Sequence, residues 1–315
     1  ISCDKVGDIY QKQGDLEKAL IQYEKSLFLR KKFDKKQKTP ESCNDYSISC
    51  NRMGDIYQEQ GDLEKALKYY KRSQILRQNL YKKQKTKEHC RGYLVSCIKM
   101  GEIYQKQGNL EEAFHMYQES QTFSRKLYQE QKTAKSCRDY SVSCDRMGNL
   151  YQEQGNLEKA LENYKKSLDL RKKLYEQQRT AKSCRDYSVS CSNVGDIYLE
   201  QGRLDEAFER YKKNLSLSRK LYEEQGTAKS YKDYSVSCIR IGDIYQRQGK
   251  LDEALKIYEK AQQLSRKLYE WMETPESYKE IIMCCIKIEE IYRKQGNLDE
   301  ALEICEEIIA LMKKL

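Results

Sequence analysis

Apolar residues recur with a helical period along the second fifty or so positions of the chain. From Thr39 to about Gln60, apolar or small side chains stand at Cys43, Tyr46, Cys50, Met53 and Tyr57. This 3–4 spacing lines one face of a helix. Gly61 then predicts a left-handed helix stop, and Asp62 is placed to cap the next helix. Leu63, Ala66, Leu67, Tyr70, Leu76 and Leu80 mark the buried stripe of that second helix. Each helix runs for roughly 20 residues, or about 30 Å.

The same pair returns along the whole chain. The stretch GDIYQKQGDLEKALIQY begins at Gly7 and recurs from positions 54, 101, 148, 195 and 242. A seventh copy, EEIYRKQGNLDEALEIC, begins at 289, and every step is 47 residues with no insertion. Tyr10, Ala19 and Gly14 head columns that keep their residue type in all seven copies. Thr39, Thr86, Thr133, Thr180, Thr227 and Thr274 form a column of N-caps, and Pro40 and Pro275 follow two of them at the first helical position. Gly7 lies inside a helix, where glycine costs about 1 kcal/mol relative to alanine. Its return in six of seven copies predicts close helix packing opposite Ala19, with wider spacing where Glu289 replaces it. Helix pairs at a fixed period predict an all-α solenoid in which each repeat buries its face on its neighbours. Residues 1–315 read as a single array, with repeats starting at 1, 48, 95, 142, 189, 236 and 283 and about fourteen long helices.

The Gly and Tyr spaced as in GDIY, the glycine turn, and the Ala and aromatic of LEKALIQY resemble the tetratricopeptide repeat family. The resemblance recurs in all seven copies. The family's usual repeat is shorter, and the extra residues lengthen the end of helix B and the start of helix A, as in long-helix variants. A cysteine at positions such as Cys50 and the missing proline after helix B depart from the family pattern. The resemblance implies a right-handed superhelix whose concave face, lined by helix A, binds a protein or peptide segment. Carried onto this chain, that face includes a basic column with Lys5, Arg52, Lys99, Arg146 and Arg240, broken by Asn193. Beside it runs an acidic column with Asp8, Asp55, Glu102, Asp196 and Asp243, broken by Asn149. An amide column accompanies them with Gln58 and Gln152. The two signs can hold a partner or form salt bridges between neighbouring helices. The acids disfavour a C-terminal carboxylate as ligand, and only Arg146 with Asn149 keeps something like the family's carboxylate clamp. The variable fourth column, Asp4, Asn51, Ile98, Asp145, Ser192, Ile239 and Ile286, reads as recognition or as tolerance. Trp271 stands in an otherwise charged column, either packed near the turn at Thr274 or available as a binding anchor.

Composition adds limits. Hydrophobic content of 38% with 34% charged residues suits a high-surface helical array. No apolar run approaches the roughly 20 residues of a membrane span, so no membrane partner is expected. Thirteen cysteines would suggest disulfides in a small secreted chain. Cys43 and Cys50, however, lie about 10 Å apart along one helix, beyond the roughly 7 Å between Cα atoms that a disulfide tolerates. Buried thiols acting as small hydrophobes in a reducing, cytoplasmic compartment fit the columns better. His89 and His115 lie in different columns, and no GxxxxGK or GxGxxG occurs. No enzyme, cofactor or metal site is therefore expected. The net charge of +10 supports a nucleic-acid-binding array as a rival reading, and the interleaved acids oppose it. A third reading is a purely architectural array that self-associates end to end. Repeat one lacks the front of helix A and Leu315 stops within helix B. Terminal repeats normally carry polar caps, so the natural chain is expected to continue, in a signalling protein that uses the array to sense or recruit.

Overall fold

The computed structural model describes residues 2–84 and 86–313; Leu315 lies outside them. Among the described residues there are fourteen α-helices: α1 (Ser2–Lys12), α2 (Leu16–Gln37), α3 (Pro40–Glu59), α4 (Leu63–Gln84), α5 (Lys87–Lys106), α6 (Leu110–Gln131), α7 (Ala134–Glu153), α8 (Leu157–Gln178), α9 (Ala181–Glu200), α10 (Leu204–Gln225), α11 (Ala228–Arg247), α12 (Leu251–Met272), α13 (Pro275–Gln295) and α14 (Leu298–Met312). Odd-numbered helices are the A members of the repeats and even-numbered ones the B members. The chain forms two compact units, residues 1–163 and 164–315, and the boundary falls within α8. Within each unit, helices adjacent in sequence pack on one another.

Local chemistry sets the helix ends. Each A-to-B turn carries a glycine with positive φ, as at Gly61 (φ 83°), and the Asp62 carboxylate accepts from the Lys65 amide at 3.0 Å. At the B-to-A turns the threonine column caps as expected. Thr39 Oγ1 accepts from the Ser42 amide at 3.1 Å, while Ser42 Oγ accepts from the Thr39 amide at 3.2 Å. The reciprocal box recurs at Thr133, Thr180 and Thr227, with serine in the role more often filled by glutamate. The B helices also end in left-handed residues, such as Lys38 and Lys132, a stop that the sequence pattern does not announce because no glycine marks those two.

The helical glycines have a different neighbour from the one expected. A Cβ built on Gly7 would lie 2.6 Å from Tyr23 Cε1, and one on Gly54 would lie 2.4 Å from Tyr70 Cε1. Gly101, Gly195 and Gly242 meet Tyr117, Tyr211 and Tyr258 in the same way. The tyrosine ring of helix B, not the Ala19 column, lies against the bare backbone of helix A. In the last repeat Glu289 takes the glycine position and Cys305 takes the tyrosine position, so the ring and the space it needs disappear together.

Ten of the thirteen cysteines are buried. Burial pushes the thiols of Cys50, Cys97, Cys191 and Cys238 up to about 12, which keeps them neutral and inert as nucleophiles. Because the folded-state values lie above the unfolded one near 8.5, this contribution to stability is complete below that pH. It is lost as the pH rises towards the folded values. The thermal midpoint should fall progressively between about pH 8.5 and 11, followed by circular dichroism. A midpoint constant across that range would mean that these thiols do not stay neutral in the folded state.

Candidate partner-binding face

Positions separated by four and three residues along helix A share a face. On α3 these are Ile48, Arg52 and Asp55; the matching residues are Val95, Lys99 and Glu102 on α5, and Val142, Arg146 and Asn149 on α7. In the second unit they are Val189, Asn193 and Asp196 on α9, then Val236, Arg240 and Asp243 on α11.

The charges on this face join one repeat to the next. Arg52 pairs with Asp8. Lys99 Nζ lies 2.9 Å from Asp55, and Arg146 lies 2.6 Å from Glu102. In the second unit Arg240 lies 3.2 Å from Asp196, and Lys287 lies 2.8 Å from Asp243. The register is constant: each base reaches back 44 positions to the acid of the preceding repeat. Asn149 and Asn193 stand in this same register, one in each unit, so the acid and the base are lost together. Lys5 is exposed. Gln152 and Asn149 are half-buried on α7.

The tyrosine that packs on the glycine also holds the acid. Tyr70 Oη donates to Asp55 at 2.6 Å, Tyr211 to Asp196 at 2.6 Å and Tyr258 to Asp243 at 2.6 Å. Gln58 Oε1 lies 3.2 Å from Tyr70 Oη, and Gln105 Oε1 lies 2.9 Å from Tyr117 Oη. Burial, reinforced by the neighbouring carboxylates, pushes the phenol pKa of Tyr70, Tyr211 and Tyr258 up, so each phenol stays protonated and remains a donor. Partial burial raises the Asp8 carboxyl, but the Tyr23 and Arg52 hydrogen bonds outweigh it and the net shift is downward.

The fourth column lies to one side of this face. Asp4 is buried and its carboxylate sits 2.5 Å from Arg30 of α2. Positions 26 residues further on help to explain its variation: Asp4 has Arg30, whereas Ile98 and Ile239 have Ser124 and Ser265. Asp145 likewise has Arg171, whereas Asn51 has Arg77 and Ser192 has Ser218, so this register accounts for part of the variation. Trp271 is 59% exposed and packs on Tyr231 with ring centroids 5.1 Å apart.

Two features of the face are not prominent in the charge pattern. One is the apolar row beside the ion pairs, in which Val189 and Met283 are 46% and 42% exposed. Its signal is the Ile/Val/Met column that recurs at every repeat. The other is a cavity of about 220 Å³ beside Asn193, lined by Val189, Ser192, Asn214 and Val236. The Asn214 amide nitrogen donates to Ser188 O and Oγ at 3.0 and 2.8 Å. This orients Asn214 Oδ1 as an acceptor, and among the described residues neither it nor Ser192 Oγ has a hydrogen-bond partner. Asn214 ends a run of Ser26, Ser73, Ser120 and Ser167.

The repeated helix pair, the glycine–tyrosine contact and the repeat-to-repeat ion pairs define an all-α helical-repeat protein. Sequence models of the tetratricopeptide repeat match residues 94–173; 2–33, 48–78 and 236–268; 189–225; and 285–315. The chain belongs to the tetratricopeptide repeat family. A comparison with curated protein sequences gives no match. Among solved structures, BtubC (BKLC) from P. vanneervenii is similar at 17% identity and TM-score 0.65, covering 80% of this chain and 91% of that one. A signal transduction ATPase (STAND) of Pyrococcus horikoshii with a tetratricopeptide repeat sensor is similar at 16% identity and TM-score 0.65. That match covers 99% of this chain and 43% of the other. The Rap conjugation gene regulator of plasmid pLS20, solved with the Phr* peptide, is similar at 16% identity and TM-score 0.50, covering 98% and 72%. At these identities the likeness is one of fold.

The ion pairs on the face are about one-third exposed, so each is worth only about 0.2–1 kcal/mol. A double-mutant cycle over Arg240→Ala and Asp196→Asn should return a coupling in that range, shrinking in high salt. No coupling, or one insensitive to salt, would show that the pair does not join the repeats electrostatically.

Proposed function

We propose that this chain is a non-catalytic interaction scaffold that binds a protein or peptide segment along the helix-A faces of its repeats, as the sensing or recruiting part of a larger signalling protein. The observation that carries this reading is the Ile/Val/Met row, half-buried at Ile48, Val95, Val142 and Val236 and exposed at Val189 and Met283, running beside charges already engaged with one another. Such a face offers apolar contact without leaving charges to be desolvated unpaired, and a desolvation penalty would otherwise oppose binding. The polar notch beside Asn214 gives a bound segment a place for a hydrogen-bond donor. Lys5, Asp8, Arg52, Asp55, Gln58, Lys99, Glu102, Arg146, Asn149, Gln152, Asn193, Asp196, Arg240 and Asp243 flank the row and set which segments fit, more by repelling wrong charges than by attraction. The resemblance to a peptide-bound Rap regulator and to a STAND sensor region supports this class of partner. Among the described residues no helix is long and apolar enough to cross a membrane, and the buried thiols suit a reducing, cytoplasmic setting.

The test is affinity capture with the chain and with Val95→Glu/Val189→Glu, one substitution in each unit, scored by quantitative mass spectrometry. Partners recovered by the parent chain should fall about tenfold or more with the variant, in line with the loss of a hot-spot contact, while the circular dichroism spectrum stays unchanged. Equal recovery would remove the helix-A face from consideration.

A further inference from the structure

The first unit carries a second and larger cavity on the other side of α3. At 100° per residue, Tyr46 and Cys50 project roughly opposite Arg52 and Asp55. They form the floor of a groove between α2 and α4 with a volume of about 860 Å³. Leu27, Leu67 and Tyr69 complete the apolar lining, and Ile75 at its edge is 49% exposed.

The charge around this groove is one-sided. Lys31, Lys68, Lys71 and Arg72 line it, against the single acid Glu64. Among the described residues none of these four cations forms an ion pair, in contrast to the bases Arg52 and Lys99 on the opposite side of the A helices. Arg72 rests over the Tyr46 ring at 5.8 Å and Lys71 over Tyr104 at 5.6 Å, which positions them without neutralising them.

At the equivalent place one repeat later the matching side chains hydrogen-bond to their own neighbours. Gln74, where the first repeat has Leu27, donates to Cys97 Sγ at 3.8 Å and Met116 Sδ at 3.7 Å. Glu119, where the second repeat has Arg72, accepts from Tyr93 Oη at 2.6 Å. At the α2/α4 groove leucine and arginine replace this glutamine and glutamate, and Ile75 stands where the next repeats have Thr122 and Asp169. Most repeats keep a base at the Arg72 position (Lys25, Lys166, Lys213 and Lys260), and Leu168 and Leu215 match Leu27, so Gln74 and Glu119 are the departures; the α2/α4 groove keeps the apolar and basic residues and adds Ile75.

We infer that the groove between α2 and α4 is a second docking site, for an acidic amphipathic helix of a protein partner. Two neighbouring helices with an apolar trough between them match the way such a helix lies in a groove, anchored by apolar residues at i, i+3/i+4 and i+7. The four cations select Asp and Glu on its flanks. This assignment is independent of the helix-A face.

The probe is a fluorescein-labelled synthetic helix of about four turns, with leucine on one stripe and glutamate elsewhere. Its companions carry lysine in place of glutamate, or serine in place of leucine. Anisotropy titrations should show saturable binding of the Leu/Glu helix alone. Lys68→Glu/Arg72→Glu should weaken it about tenfold or more, and Ile75→Ser several-fold, whereas Val189→Glu/Val236→Glu should leave it unchanged. All of these side chains except the half-buried Val236 are exposed, so folding is preserved, as thermal melts would confirm. The assignment is overturned if the Leu/Glu helix does not bind, or if it binds the charge-reversed variant equally well. It is also overturned if the Ser/Glu helix or a polyuridine strand binds as tightly, which would mark a general polyanion surface.

Discussion

At Gly7, Gly54, Gly101, Gly195 and Gly242 a tyrosine ring of helix B lies against a stretch of helix A that has no Cβ. The ring of Tyr70 leaves no room for a side chain at position 54, and its hydroxyl reaches past the helix to Asp55. That aspartate is in turn the partner of Lys99 in the following repeat. One residue therefore couples packing within a repeat to pairing between repeats. A helical glycine costs about 1 kcal/mol, and the buried ring more than offsets it, since burying a large side chain contributes about 1.5–3 kcal/mol. In a linear array stability is a sum of repeat and nearest-neighbour terms, and this junction contributes to both. The last repeat, with Glu289 and Cys305 in place of glycine and tyrosine, keeps neither.

The same junction prepares the surface. Because the acid is held by a phenol and a base, it is oriented before any partner arrives, and the partly exposed apolar row beside it lies on a stiff background. Preorganisation of this kind reduces the ordering cost of association. Repeats that break the pattern are where the surface becomes individual. Asn214 and Asn193 line a polar notch on one face, and Ile75 adds an apolar edge to the groove that Leu27 and Arg72 line on another. Regular columns build the scaffold, and the departures carry its specificity.

Much of this fold was legible in the sequence. The 47-residue period, the threonine caps and the glycine stops come from spacing and side-chain chemistry alone, and the helix ends fall close to where they predict. The contacts of Gly7 were not legible. Ala19 and Tyr23 both recur beside it in register, and a period cannot say which of two regular columns faces a third. The charge columns had the same ambiguity, since an acid and a base that recur in nearly every repeat can pair inside one or reach across to the next. The fourth column appeared variable enough for recognition because the Arg30 partner of Asp4 lies on the other helix, 26 positions on, and no helical period links the two. The α2/α4 groove escaped notice because its cations sit in ordinary exposed columns and acquire meaning only when Leu27 and Tyr46 are brought beneath them.

The central claim is that the helical glycine exists for the ring. The most direct measurement is a double-mutant cycle over Gly54→Ala and Tyr70→Cys, the second copying what the chain itself places at Cys305, read by urea denaturation. In the parent background the added methyl should cost about 1–3 kcal/mol through overpacking. In the Tyr70→Cys background it should instead stabilise by up to about 1 kcal/mol, the ordinary gain of alanine over glycine in a helix. An alanine that costs the same in both backgrounds would contradict the account.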